Sequence, residues 1–239
     1  MDLVRLRASD VDVAALVYPP RRPRGVSVVF GHGYSSSKQN LDGLASFLAA
    51  HGFAIVSLDF PGHKLGASGG RLRSFPDLLA SFDAGVAYAQ AQGSGFVYVL
   101  GHSMGAMAAL RSCAANQAVA GAIAIATGYG RLRALEAFAA QGKHDWRAGY
   151  VDGLTLPEVA AAAQEDQETI LAALVGRPVL YIAAERDMMV APSDVQALYE
   201  HAPEPKSFAT VASDHTNAAE HSRAAVLAWL NALHPRLGE

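Results

Sequence analysis

The residues in this chain best suited to covalent chemistry are Gly101-His102-Ser103-Met104-Gly105. They stand between an apolar run, Phe96 to Leu100, and an alanine-rich run, Ala106 to Ala115. The first run is short, β-branched and aromatic, as a buried strand is; the second is built of strong helix formers. A Gly-x-Ser-x-Gly between strand and helix predicts a sharp reversal that forces the serine into a strained backbone conformation and lifts its hydroxyl clear of the sheet. Gly101 and Gly105 are predicted to be small because the turn packs closely against its neighbours. The helix N-terminus is then aimed at whatever the serine attacks.

A serine hydroxyl is a poor nucleophile at neutral pH and needs a base, usually a histidine oriented by a carboxylate. The pattern predicts the order serine, acid, histidine, each at a strand end. Asp187 follows the run Val179-Leu180-Tyr181-Ile182, and His215 follows Phe208-Ala209-Thr210-Val211. The chain holds nine histidines, so rivals are weighed by position. His201 and His221 lie in or beside helices and read as surface residues, and His234 lies near the chain end. His32 and His102 flank the site and read as supports. Glu185 and Asp214 compete with Asp187 by proximity, but the turn is expected to deliver Asp187 into the cleft. The preceding strand ends Ala126-Thr127-Gly128 and offers no acid. An oxyanion formed at the serine needs fixed donors. The N–H of Met104 at the helix start is one candidate. The N–H of Tyr34, in Gly31-His32-Gly33-Tyr34, is the other.

Strand-like and helix-like runs alternate around these residues. Leu3 to Arg7 and Val11 to Tyr18 predict an antiparallel start; Val26 to Phe30 and Ala54 to Leu58 read as buried strands. Helices are predicted from about Gln39 to His51, from Pro76 to about Gln92, from Pro192 to His201 and from Ala218 to Leu233. The glycine-rich stretch His63 to Arg73 is expected to be flexible or turn-like. Val119 to Ala126 is another strand, after which the rhythm breaks. From Thr127 to Val175 there are only helical patterns, one of them opened by the capping-box spacing Thr155-Leu156-Pro157-Glu158. Alternation resumes with Pro178 to Ala184 and Ser207 to Val211. Such alternation implies a mostly parallel sheet with its site at the carboxyl ends of the strands.

Composition narrows the classes. Of 239 residues 51% are apolar, enough for a core on both faces of a sheet. The formal net charge of −3, without basic clusters, argues against nucleic acid as a partner. The single cysteine, Cys113, excludes an internal disulfide and reads as helix packing. Met1-Asp2-Leu3-Val4-Arg5 does not read as a secretory signal. No apolar run approaches the roughly 20 residues that span a bilayer. The expectation is a cytoplasmic, soluble monomer or homodimer that needs no metal or cofactor.

In Gly31-His32-Gly33-Tyr34, Asp59-Phe60-Pro61-Gly62-His63, Gly101-His102-Ser103-Met104-Gly105, Asp187 with Pro192, and Asp214-His215, the chain resembles the α/β-hydrolase superfamily over nearly its whole length. Within it, the chain is similar to small serine esterases and lipases related to monoacylglycerol lipases. The resemblance implies an α/β-hydrolase fold: an eight-stranded, mostly parallel sheet with an antiparallel second strand. Residues 1–127 and 177–239 would form the core and 128–176 a helical lid over the serine, inserted after the sixth strand. Three departures stand out. Two extra residues lie between Gly62-His63 and Gly66-Ala67-Ser68, and Ala184 and Ala212 replace glycines common in the family. The insertion offers Tyr129, Leu132, Leu135, Phe138, Trp146 and Tyr150, so Tyr129, Trp146 and Tyr150, with Tyr34, are the candidate substrate contacts. Its Arg131, Arg133, Lys143, His144 and Arg147 read as a solvated face.

The reading that follows is a serine hydrolase of small or medium, fairly apolar carboxylic esters, using Ser103, His215 and Asp187 with Met104 and Tyr34 as oxyanion donors. Thioesters, amides, peroxyacid formation and C–C bond hydrolysis use the same machinery. A ligand-binding protein that keeps the fold is the reading from another class. Metal-dependent hydrolysis has only the weak spacing of His215, Glu220 and His221 behind it.

Overall fold

The computed structural model describes residues 1–130 and 148–235. Eight strands form one sheet: β1 (Asp2–Ala8), β2 (Val11–Tyr18), β3 (Val26–Gly31), β4 (Ala54–Leu58), β5 (Phe96–His102), β6 (Gly121–Ile125), β7 (Val179–Ala184) and β8 (Lys206–Val211). Their order is β1-β2-β4-β3-β5-β6-β7-β8. β2 runs antiparallel to both β1 and β4, and every other pairing is parallel. The expected doubly covered, mostly parallel sheet is therefore the one observed.

Helices cover both faces because the central strands are apolar on both. All six residues of β3 are buried; Val29 faces one core cluster while Val28 and Phe30 face the other. The first face carries α2 (Pro76–Ala91), α3 (Met104–Ala115) and α6 (Pro192–His201), through Phe82, Met104 and Leu198. The opposite face carries α1 (Asp42–Ala50), α7 (Ala218–His221) and α8 (Arg223–Leu233), through Leu44, Ala218 and Leu230. Between β6 and β7 lie α4 (Leu156–Gln164) and α5 (Gln167–Ala172), whose Val159 and Leu171 join the first cluster. The capping box is formed: Glu158 takes the Thr155 main-chain N–H at 2.7 Å and the Thr155 hydroxyl accepts from the Glu158 N–H at 3.4 Å.

Two helices differ from their expected form, and the 63–73 stretch is turn-like as expected. The helix predicted from Gln39 opens as a 3-10 turn, Lys38–Leu41, and becomes α-helical only at Asp42. The last helix is interrupted at Ser222, whose hydroxyl donates back to the Ala218 carbonyl at 2.6 Å while its N–H bonds to Ala219 instead of the fourth residue back. Such back-bonding bends helices. The 63–73 stretch is pinned: Ala67 N–H donates to the Asp59 carboxylate at 2.7 Å, and Ser68 bridges the Asp59 carbonyl and the Ala14 N–H. The two additional residues, Lys64 and Leu65, form the tip of a turn closed by Gly66 N–H on His63 O, and Lys64 N–H reaches Tyr150 O at 2.8 Å.

Candidate active site

Ser103 sits between β5 and α3 with φ +54° and ψ −116°, a left-handed backbone that costs a non-glycine residue energy. The reversal is held by its N–H donating to Ile125 O at 2.9 Å. A Cβ at Gly101 would lie 2.0 Å from the Gly105 carbonyl oxygen, and one at Gly105 would lie 2.2 Å from that of Gly31. Strand, turn and helix are thus pressed together backbone to backbone, as the spacing of the two glycines predicts.

Asp187 and His215 enter from the carboxyl ends of β7 and β8. Asp187 is closed into its turn by donating its N–H to Ala184 O at 3.2 Å, so alanine at 184 serves the turn. One carboxylate oxygen accepts the N–H groups of Met189 (2.8 Å) and Val190 (2.7 Å), and the other accepts from His215 Nδ1 at 2.7 Å. Burial pushes the Asp187 pKa up, but the His215 contact and the two N–H donors outweigh it and hold it below the usual carboxylate value. Because Nδ1 donates to Asp187, the neutral imidazole keeps the lone pair of Nε2 for a proton. Ser103 and His215 line one cleft, together with Met107, Ala126, Thr127 and Gly128. Leu156 and Ala160 of α4, with Met189 and Val190, complete its walls.

Two further histidines hold the surrounding loops. His102, at the end of β5, donates Nε2–H to the His215 carbonyl at 2.7 Å, and the two rings lie 4.9 Å apart. Burial, with His215 beside it, pushes the His102 pKa down to about 4, so the ring is neutral. His32 accepts the Phe60 N–H on Nε2 at 3.0 Å and therefore donates Nδ1–H to Gly33 O at 2.8 Å. Burial and the neighbouring His63 hold His32 well below the usual imidazole value. Gly33 O also accepts from Ser36 N–H at 3.3 Å, and a trans peptide sets the Tyr34 N–H opposite that oxygen. Gly33 itself abuts Ser103: a Cβ there would lie 3.5 Å from the serine Cβ. Met104 N–H, the first of α3, has no acceptor within its own helix.

A support that sequence reasoning missed is Lys38. Its ammonium is buried in an ion pair with Asp59, with side-chain exposures of 2% and 0%. Asp59 also accepts the Lys38 main-chain N–H at 2.8 Å, so one carboxylate ties the loop after β3 to the loop after β4. Asp59 lies in the Asp59-Phe60-Pro61-Gly62-His63 motif; Lys38 follows three serines, and nothing in its surroundings along the chain signals burial.

None of the tyrosines expected to touch substrate is among the residues lining the serine cleft. Tyr129 stacks on His201 at 4.2 Å, donates its hydroxyl to Glu168, and is not among the residues lining the serine cleft. Tyr150 is 38% exposed on a short 3-10 turn outside that cleft. The Tyr34 hydroxyl donates to Leu154 O at 3.1 Å and its ring meets the edge of His63, so its side chain ties down the segment before α4. Trp146 lies outside the described residues, as do Leu132, Leu135, Phe138, Arg131, Arg133, Lys143, His144 and Arg147. His234, expected near a loose end, is instead pinned by the Tyr98 hydroxyl at 2.8 Å. His201 and His221 are exposed, as expected. Cys113 is buried on α3, and burial pushes its thiol up to about 11. Among the described residues no group of three or more His, Cys, Asp or Glu could hold a metal ion, and no helix is long and apolar enough to cross a membrane.

The fold is shared with solved structures of low sequence identity. An esterase from Pyrococcus furiosus superposes with a TM-score of 0.78 at 19% identity, over 98% of this chain and 91% of that one. Est1E from Butyrivibrio proteoclasticus, with ferulic acid bound, gives 0.74 at 18% identity over 95% and 97%. A hydrolase from Pseudomonas aeruginosa gives 0.67 at 18% identity over 96% and 98%. No curated protein sequence matches the chain significantly. The sequence model of the alpha/beta hydrolase family, however, matches residues 28–235, and the chain belongs to that family.

Proposed function

We propose that this protein is a serine hydrolase of carboxylic esters that works through an acyl-enzyme on Ser103. The observation that carries the reading is the strained Ser103 in one cleft with His215, whose Nδ1 is held by Asp187 at 2.7 Å. In this reading His215 Nε2 takes the Ser103 proton as the hydroxyl attacks the ester carbonyl, then returns it to the leaving alcohol. Asp187 fixes the tautomer and faces the imidazolium while it exists. The N–H groups of Met104 and Tyr34 receive the oxyanion, each such donor being worth roughly 3–4 kcal/mol. Water, activated by the same histidine, releases the acid. Segment 128–176 acts as the lid over a core of 1–127 and 177–239, and Gly128, Leu156 and Ala160 bring it to the cleft wall.

The test is burst kinetics with 4-nitrophenyl acetate, butyrate and octanoate on wild type, Ser103→Ala, His215→Ala and the double variant. Each single substitution is expected to lose about as much kcat as the pair, because the two side chains act as one unit. Full activity in Ser103→Ala, or losses that add, would overturn the assignment. Hydrolysis of none of these esters by a folded wild type would favour the ligand-binding reading.

A further inference from the structure

Of the described side chains that line the serine cleft, only Ser103, Thr127 and His215 carry oxygen or nitrogen. The proposed chemistry uses the first and the last and leaves Thr127 over. Thr127 is only 3% exposed, and among the described residues its hydroxyl takes part in no hydrogen bond. Burying a hydroxyl without a partner is unfavourable, because the bonds it loses to water are not replaced. A valine would keep the same outline without that cost. The hydroxyl is therefore a group whose partner arrives with the ligand.

The backbone is bent to present this residue. Ile125 accepts the Ser103 N–H on its carbonyl at 2.9 Å, so β6 ends against the proposed nucleophile. A regular strand turns successive side chains to opposite faces. Here Ile125 and Ala126 both join the core cluster on the α1 face, because Ala126 takes φ +54°, in the left-handed region. That conformation costs a residue with a Cβ energy, and such strain gathers at ligand sites. Thr127 then borders the same space as Met107 of α3. The segment is held on both sides: Ala126 N–H donates to Ile182 O at 2.9 Å, and Tyr129 N–H donates to Asp194 O at 3.0 Å. Two residues of chain span at most about 7 Å, so Thr127 Cα stands within that distance of Ile125 Cα.

The cleft also limits the partner. Among the described residues no lysine or arginine lines it, so a charged group would enter uncompensated. A threonine hydroxyl both donates and accepts, and an uncharged hydroxyl can meet it in either sense.

Resting on the hydrolase reading above, we infer that Thr127 is a specificity-determining residue whose hydroxyl hydrogen-bonds an uncharged hydroxyl of the substrate, a few bonds from the scissile carbonyl. The substrate class is then a short hydroxylated ester instead of a plain alkyl one. The hydroxyl can sit on the acyl or the alcohol half, and the experiment separates the two.

The experiment compares kcat/KM within two sets of esters, in wild type, Thr127→Val and Thr127→Ser. The acyl set is 4-nitrophenyl butyrate against 4-nitrophenyl 2- and 3-hydroxybutyrate; the alcohol set is ethyl butyrate against 2-hydroxyethyl butyrate. Wild type is expected to prefer a hydroxylated member of one set. Thr127→Val should lower that preference about tenfold, the worth of one neutral hydrogen bond, and Thr127→Ser should keep it. The set that responds names the half of the substrate that Thr127 meets. Ratios equal to wild type in both sets overturn the inference, even where Thr127→Val slows every ester by one factor, as lost packing or a displaced water would. Saturation-transfer NMR of methyl butyrate, methyl 3-hydroxybutyrate and 2-hydroxyethyl butyrate on Ser103→Ala, with and without Thr127→Val, reads binding without turnover. A hydroxyl preference removed by Thr127→Val, in a protein that cleaves no ester, would keep the contact and remove the hydrolase reading. Ester cleavage with no response to Thr127 would do the reverse. No cleavage and no preference would overturn both.

Discussion

Replacing Asp187 by asparagine tests the proposed chemistry with little disturbance of shape. The carboxylate is used on both sides: one oxygen accepts Met189 and Val190 N–H at 2.8 and 2.7 Å, the other accepts His215 Nδ1–H at 2.7 Å. An asparagine has one acceptor and one donor end. Turned the wrong way, its NH2 would confront two main-chain N–H groups, so the amide oxygen must face Met189 and Val190. The NH2 is then presented to His215 Nδ1, which must become an acceptor. The proton moves to Nε2, and the ring can no longer take the proton of Ser103. The expected loss is about 10⁴-fold in kcat, or roughly 5.5 kcal/mol, the size a wrong tautomer has in such a triad.

Stability should respond in the opposite order. The asparagine keeps both turn bonds, so its melting temperature should stay near wild type. Asp187→Ala strips the acceptor from two N–H groups, at about 1–3 kcal/mol for each left buried and unpaired. The assay is steady-state and burst hydrolysis of a 4-nitrophenyl ester, paired with thermal melts of both variants. Asparagine at 187 retaining more than about a tenth of wild-type kcat would refute the argument from the tautomer.

Three other outcomes follow from the same geometry. His102 has its pKa lowered from 6.5 to about 4, so the unfolded chain binds a proton the native one refuses; the associated stability, of order 3 kcal/mol, is intact above pH 6.5 and lost as pH falls toward 4. Urea unfolding at pH 7 and 4.5 should show that loss, and His102→Gln should flatten it. Lys38→Met leaves Asp59 charged and buried, which should destabilise the protein by about 3–5 kcal/mol in chemical denaturation; a change below 1 kcal/mol would show the pair is not buried in solution. Gly105→Ala drives a methyl to within 2.2 Å of Gly31 O, so soluble, fully active protein from that variant would contradict the close approach of α3 to β3.

What was legible in the sequence is what neighbours along the chain decide. Continuous apolar runs mark strands covered on both faces, and Gly101 and Gly105 mark a place where backbones meet, because both signals are local. The interruption at Ser222 was not legible, since a serine bonding back to Ala218 looks no different in sequence from one facing solvent. Nor was the placement of Tyr129, where Glu168 and His201, far along the chain, decide which way the ring turns. Lys38 is the clearest case. A lysine after three serines reads as surface, and only a carboxylate 21 residues away, delivered by the neighbouring strand β4, makes its burial possible.

The same distinction explains how the site is built. Ser103 and Met104 are placed by a local turn, but Asp187, His215 and the Gly33–Tyr34 peptide arrive from three other strand ends and must be locked relative to it. Each lock is a hydrogen bond to the main chain of a site loop: His102 on the His215 carbonyl, His32 on the Gly33 carbonyl, and Asp59 on the Lys38 N–H. Two of the three locks are imidazoles that burial keeps neutral. A neutral ring donates one N–H without placing a second positive charge beside His215, where the proposed mechanism forms an imidazolium. A lysine or arginine in those positions would hold the loops equally well and oppose that imidazolium. The supports thus carry the same chemical requirement as the groups they support, which is why their protonation, and not only their presence, should govern activity.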